Sequence, residues 1–233
     1  MIDFDRIDVI SFDCYGTLID WESGILGALA SFRSEYRDRA SDDELLEQYA
    51  SLESVMESGE YIPYRDVLRG VMRGFARRFS VPEERLDPDL LLNSLPSWRP
   101  FPDTVESLRR LKQQYKLAVI SNTDDDLFAQ TARALEVPFD FVVTAEQVRA
   151  YKPSPRNFAH ALEVFGIAKE RLLHAAQSRY HDVAPARSLG VATVWVNRRA
   201  GKQGEGATAL SSAVPDLEVP DLRTLADRAA KSS

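Results

Sequence analysis

Apolar positions fall into two regimes along the chain. Near its start, Val9-Ile10-Ser11-Phe12 is a short apolar run between Asp8 and Asp13, which predicts a buried strand. From residue 21 to 97 the spacing is helical. Ile25, Leu26, Leu29 and Phe32 form a stripe in the segment 21–36. Ser41-Asp42-Asp43-Glu44 has the form of a capping box and opens a helix through Leu45, Leu46, Tyr49 and Leu52. Ser58-Gly59 breaks it, and a third helix spans 64–79 on Val67, Leu68, Val71, Met72 and Phe75. A last helical piece over 82–95 is closed by Pro96, Pro100 and Pro102. No strand pattern interrupts this run.

Beyond residue 102 the two periods alternate. Helices over 104–115, 125–135, 155–165 and 183–189 lead to strands over 117–120, 139–143, 172–176 and 192–196. Strands alternating with helices imply right-handed crossovers and a mainly parallel sheet covered on both faces. Residues 200–213, rich in Gly, Ser and Ala, predict a loop before a short terminal helix. The expected fold is α/β, a doubly wound, mainly parallel sheet over 1–20 and 98–233, with a helical domain over 21–97 inserted after the first strand.

Composition narrows the class. Of 233 residues, 44% are hydrophobic and 28% charged, enough for a packed core. A net charge of −7 argues against a nucleic-acid partner. Arg69, Arg73, Arg77 and Arg78 share one helix and read as a solvated face. The single cysteine, Cys14, excludes an internal disulfide and fits a reducing cytosol; alternation turns it away from Asp13 and Tyr15. Asp3, Asp5 and Arg6 interrupt any apolar leader, and no apolar stretch approaches the roughly 20 residues that span a bilayer. A cytoplasmic protein without membrane contact is expected, with exposed helices that suit a homodimer.

The chemistry gathers at strand ends. Asp13 closes the first strand, with Tyr15 and Thr17 just beyond and Gly16 permitting a sharp turn. Ser121-Asn122 follows the second strand, Lys152-Pro153 the third, and Gln177-Ser178-Arg179-Tyr180-His181-Asp182 the fourth. In an open α/β sheet, ligands bind outside the carboxyl ends of the strands. Singly, each group has an ordinary structural use: Asp13, Ser121-Asn122 and Asp182 as turn or helix caps, Lys152 as a surface cation. Together they supply the parts of covalent catalysis: a nucleophile, orienting donors, a counter-charge and a second carboxylate.

Asp13-Cys14-Tyr15-Gly16-Thr17-Leu18, Ser121-Asn122, Lys152-Pro153 and Asp182 resemble the four motifs of the haloacid dehalogenase superfamily, whose cap domain stands where the helical insertion stands here. Most members are magnesium-dependent phosphatases with a second aspartate two residues after the nucleophile and a Gly-Asp pair in the fourth motif. This chain has Tyr15 and Ala176-Gln177 at those points. A hard cation wants charged oxygen ligands, so no metal and no other cofactor is expected. The Asp-x-Tyr form resembles the L-2-haloacid dehalogenase branch.

That resemblance implies that Asp13 attacks C2 of a 2-haloacid and forms an aspartyl ester, which water hydrolyses to the 2-hydroxy acid. It implies that Lys152 keeps Asp13 ionised, that Asp182 with Ser178 handles the water, and that Thr17, Ser121 and Asn122 donate hydrogen bonds to the nucleophile or the substrate carboxylate. Tyr15, Trp21, Arg179 and His181 are expected beside the substrate, and Trp21, Tyr49, Tyr61, Tyr64 and Trp98 as the walls of a dry pocket. Departures from the branch are Arg179 in place of an asparagine, His181 in place of an aromatic residue, and no arginine near Tyr49-Ala50-Ser51, where the branch receives its halide. Arg179 is the expected replacement anion receptor. His160 and His174 read as structural. The same ester on another leaving group, as in azetidine-2-carboxylate ring opening, is the alternative; a magnesium phosphatase and a non-catalytic binding protein follow.

Overall fold

β1 (Val9–Phe12) is buried at every position and carries no solvent face, as a strand covered by helices on both sides requires. It occupies the middle of the sheet in a computed structural model that describes residues 2–36, 40–202 and 206–230, with the backbone alone at 31, 32, 35 and 36. The other strands are β2 (Lys116–Ser121), β3 (Phe141–Thr144), β4 (Leu172–Ala176), β5 (Ala192–Val196) and β6 (Leu217–Val219), in spatial order β3-β2-β1-β4-β5-β6. All five pairings are parallel. Phe12 stands level with Val119 and Ala175, so the carboxyl ends of β1, β2 and β4 open onto one edge.

The period of two divides the core. Ile10, Phe12, Leu117, Val119, Leu173 and Ala175 pack on one sheet face, and Val9, Ala118, Ile120 and Leu172 pack on the other with Phe158. Covering helices are α5 (Thr104–Lys112), α6 (Asp125–Leu135), the single turn α7 (Ala145–Val148), α8 (Arg156–Phe165), α9 (Ala184–Ser188) and α10 (Leu222–Ala229).

Between β1 and β2 lie α1 (Trp21–Tyr36), α2 (Asp42–Glu57), α3 (Tyr64–Arg78) and α4 (Leu90–Ser94). The capping box of α2 forms as read: Glu44 N–H donates to Ser41 Oγ, and Ser41 N–H to the Glu44 carboxylate. α2 and α3 lie close together, and a Cβ at Gly74 would fall 2.4 Å from Leu52. This helical layer is tied to the sheet layer by Asp124, ahead of α6, which accepts from the N–H groups of Tyr64 and Arg65 at 2.8 and 3.2 Å and from Arg65 Nε at 3.0 Å. Pro63 precedes α3 and offers no side-chain cap, so Asp124 satisfies those orphan donors from outside the helix. Arg199, beyond β5, adds ion pairs to Glu22 and Asp43.

Several elements differ from expectation. β6 has only three residues, too few to show a period, and completes the sheet where only loop and helix were read. The strand expected over 139–143 runs Phe141–Thr144. Pro88 divides the helical piece over 82–95 into a turn at Glu83–Arg85 and α4. The helix expected over 183–189 shortens to α9, because a π-helical turn, Arg179–Val183, precedes it. The side chain of Phe32 and residues 203–205 of the expected loop lie outside the described residues. Among the described residues no helix is long and apolar enough to cross a membrane.

Candidate active site

The turn after β1 is built around Gly16, whose φ of +92° suits a residue without a side chain. A Cβ there would also stand 2.8 Å from Trp21 Nε1. The turn brings Thr17 back beneath Asp13: Thr17 Oγ1 donates to Asp13 Oδ2 at 2.8 Å, and accepts from Gln177 N–H at 2.8 Å. The backbone N–H at the end of β4 therefore orients the hydroxyl that holds the first carboxylate.

Lys152 holds the other oxygen. Its Nζ donates to Asp13 Oδ1 at 2.9 Å, to Asp182 Oδ1 at 2.6 Å and to the Ile120 carbonyl at 2.9 Å. With 1% of its side chain exposed, this ammonium is removed from water between two carboxylates. Burial opposes its charge, but Asp13 and Asp182 outweigh burial and hold its pKa above the ordinary lysine value. Burial raises the Asp13 pKa, with Lys152 and Thr17 pulling against it. Asp182 is lowered: Lys152 and His174 more than offset its burial.

Beneath the pair lies a residue read as structural. His174 Nε2 meets Asp182 Oδ1 at 2.9 Å, and its Nδ1 meets Ser11 Oγ at 2.8 Å. A carboxylate only accepts, so Nε2 donates to Asp182, while the Nδ1 contact with Ser11 holds the ring in place. His174 thus fixes the direction of Asp182 from inside the core. Asp182 Oδ2 is buried without a hydrogen-bond partner.

These groups border a small pocket of about 40 Å³. Asp13, Tyr15, Ser121, Asn122, Lys152, Gln177, Ser178, His181 and Asp182 line it from the strand ends, Trp21, Glu53, Glu57 and Tyr64 from the helical layer, and Thr208 from the loop after β5. Ser121 Oγ is buried there without a partner. Ser178 Oγ contacts His181 Nδ1 at 3.1 Å and Thr208 Oγ1 at 2.9 Å. Burial pulls the His181 pKa down to about 4, so the ring is neutral at pH 7.

Other residues expected at the site are turned elsewhere. Arg179 is not among the lining residues; its guanidinium stands 4.6 Å over the Trp195 ring, because the π-helical turn carries it outward. The expected anion receptor is therefore not in the pocket. The Tyr15 hydroxyl pairs with Thr131 Oγ1 at 2.8 Å, leaving only the ring for the pocket. Asn122 spends its amide on the Lys152 backbone, accepting at 2.7 Å and donating at 3.1 Å, and on Glu57 at 3.3 Å. Of the five aromatic residues expected as walls, Trp21 and Tyr64 are present; Tyr49 stands behind Glu53, Tyr61 stacks on Tyr151, and Trp98 packs edge-on against Tyr15. Cys14 is fully buried.

Sequence reasoning missed two acids. Glu53 Oε1 accepts from the hydroxyls of Tyr49 and Tyr64, each at 2.9 Å, and burial pushes its pKa up to about 7. Glu57 lies one turn on, and burial also raises its pKa. The available signal was their register: Leu46, Tyr49 and Glu53 follow one another at helical spacing on the buried face of α2.

The donor set does not suit a divalent cation. The two strand-end carboxylates share one ammonium, and the position after Ala176 is the neutral Gln177. Among the described residues no group of three or more His, Cys, Asp and Glu side chains is disposed to hold a metal.

The family description "haloacid dehalogenase-like hydrolase" matches residues 7–190. Haloacetate dehalogenase H-2 of Moraxella sp. (strain B) is 26% identical over 201 residues, covering 83% of this chain and 87% of that protein. (S)-2-haloacid dehalogenase H-109 of Pseudomonas putida is 29% identical over 227 residues, covering 95% and 97%. The fold is similar to that of L-2-haloacid dehalogenase from Xanthobacter autotrophicus with chloropropionic acid covalently bound: the TM-score is 0.77 at 22% identity, over 95% of this chain and 97% of that one.

Proposed function

This chain belongs to the haloacid dehalogenase-like hydrolases, and within that family we propose that it displaces a leaving group from carbon through an ester on Asp13, without a divalent ion. Halide at C2 of a small 2-substituted acid or acid derivative is the first substrate class to consider, since relatives spanning most of the chain are named for 2-haloacids and haloacetate. In this reading residues 21–97 act as a cap domain over the core formed by 1–20 and 98–233.

In the first step an Asp13 oxygen attacks C2, a C–O bond forms, and the carbon–halogen bond breaks with its electron pair leaving on halide. Lys152 keeps Asp13 ionised before attack, and Thr17 holds the carboxylate in a fixed plane. In the second step water attacks the Asp13 carboxyl carbon. The free Oδ2 of Asp182 is the acceptor that orients this water, with His174 steadying the carboxylate from behind. Asp182 takes a proton from the water as it attacks, the ester C–O bond breaks at the Asp13 carbonyl carbon, and that proton passes to the departing Asp13 oxygen, which the product carries off as its hydroxyl. The water's second proton is lost to solvent as Asp13 returns to a carboxylate.

The observation that carries this reading is the buried ammonium of Lys152 hydrogen-bonded to both carboxylates at the wall of the pocket. The test is chloride release from 2-chloropropionate and 2-chloropropionamide, with and without EDTA, by wild type and Asp13→Asn. Release unaffected by EDTA and abolished in the variant supports it. A requirement for added magnesium would sink it.

A further inference from the structure

The acidic face of α2 bears on what the pocket accepts. Glu53, 6% exposed, and Glu57 line the pocket together with Asp13, and the rings of Tyr15, Trp21 and Tyr64 complete that wall. Among the lining residues Lys152 is the one ammonium or guanidinium. Its three N–H bonds all have acceptors: Asp13, Asp182 and the Ile120 carbonyl. Among the described residues that line the pocket, no cationic donor is left over for an incoming anion.

A second observation points to a ligand independently. Ser121 Oγ, on a residue 2% exposed, borders the same pocket with no hydrogen-bond partner. A buried hydroxyl left unpaired costs free energy that a bound polar group recovers. Beside the neutral side chains of Asn122, Gln177, Ser178, His181 and Thr208, the pocket offers a guest carboxyl oxygens, one unpaired hydroxyl and aromatic faces. Carboxyl groups and π-faces are the natural partners of a nitrogen bearing protons. A carboxylate seated there meets the like charge of Asp13 and Asp182, which share the single ammonium of Lys152, and repulsion away from bulk water is stronger than in it.

We propose that this pocket selects a substrate whose group next to the reacting carbon is an N–H donor, an amine or primary amide, docked on Glu53 and Glu57, in place of a free carboxylate. This rests on the reading that Asp13's pocket is the substrate site, and not on the identity of the leaving group. Glu53 and Glu57 face Tyr49 on their own helix, Tyr64 of α3, Asn122 and Lys152 beyond β2 and β3, and Asp13 beyond β1. Burial lets both glutamates keep a proton in the empty pocket more readily than in water, and an incoming ammonium displaces it.

The test uses unreactive probes of one size: propylammonium, propionamide and propionate, titrated calorimetrically into wild type, Glu53→Gln and Glu57→Gln at pH 7.5. Propylammonium and propionamide should each bind at least about tenfold tighter than propionate, and at least one glutamine variant should reduce the propylammonium advantage about tenfold. The inference is overturned if propionate binds as tightly as the nitrogen probes, if neither nitrogen probe shows saturable binding, or if the ranking is unchanged in both variants. Should a variant fail to fold, the wild-type ranking alone decides. Chloride release is read separately: an intact ranking with no release from any 2-chloro compound removes the proposed chemistry and leaves the binding inference standing.

Discussion

Lys152 Nζ lies 2.9 Å from Asp13 Oδ1 in a site with almost no water contact, and the same nitrogen lies 2.6 Å from Asp182. One buried cation thus neutralises part of two buried anions. Removing it leaves both carboxylates desolvated without a partner, the situation in which breaking a buried pair costs most. Lys152→Met should lose about 3–5 kcal/mol in urea unfolding at pH 7.5. Part of the loss should return at pH 5, where the two carboxyls, their pKa values now raised, take up protons. Unchanged stability at pH 7.5 would contradict the arrangement.

Tyr15 occupies the position at which phosphatases of this superfamily carry an acid, yet its hydroxyl is directed at Thr131. Tyr15→Phe should keep turnover within about tenfold of wild type, with about 1 kcal/mol lost in stability for the missing hydrogen bond. A role as proton donor would cost about a hundredfold or more. Steady-state kinetics on the best substrate distinguish the two.

Glu53 gives stability a pH dependence of definite sign. Its folded pKa of about 7 lies above the ordinary 4.5, so between those values the folded state holds a proton that the unfolded state has released. Its contribution is complete below pH 4.5 and is lost as pH rises to about 7. Asp182, with a lowered pKa, acts oppositely, and its contribution is lost as pH falls below the ordinary 3.8. Thermal unfolding from pH 4.5 to 8 should show a falling midpoint for wild type and a flatter profile for Glu53→Gln. A profile that rises across this interval in wild type and is the same in the variant would refute the assignment.

Asp124 is the tie between the two layers, nearly fully buried and accepting three N–H bonds from Tyr64 and Arg65. Asp124→Ala should cost about 2–4 kcal/mol, since it orphans the donors at the start of α3, while Arg65 keeps its ion pair with Asp126. Hydrogen exchange should show faster exchange of the Tyr64 and Arg65 amides while β1 stays protected. Equal acceleration in both places would mean the whole fold, and not this tie, had weakened.

Much of this was legible in the sequence, for identifiable reasons. A four-residue apolar strand ending in Asp13, and polar residues just past β2 and β4, expose a parallel sheet edge through spacing alone. The capping box of α2 was readable because Ser41 and Glu44 are local partners. Direction was not readable. Arg179 is adjacent to Ser178 in sequence, but a π-helical turn sends the two side chains to different surroundings. Glu53 and Glu57 look like surface charge unless their register on a buried stripe is counted, and burial then reverses their meaning. His174 reaches Ser11 and Asp182 only because β1 and β4 are neighbours, a fact of pairing that no local pattern carries. Thr208 enters from a loop with no period at all.

The central claim is that Asp13 bonds covalently to carbon, and isotope transfer tests it most directly. Excess enzyme is given a single turnover in H₂¹⁸O with whichever 2-chloro compound releases chloride fastest, and the Asp13 peptide and product are weighed by mass spectrometry. One ¹⁸O in the Asp13 carboxylate and an unlabelled product hydroxyl are predicted. Label in the product hydroxyl with Asp13 unlabelled would mean that water attacks carbon directly, and would contradict the account.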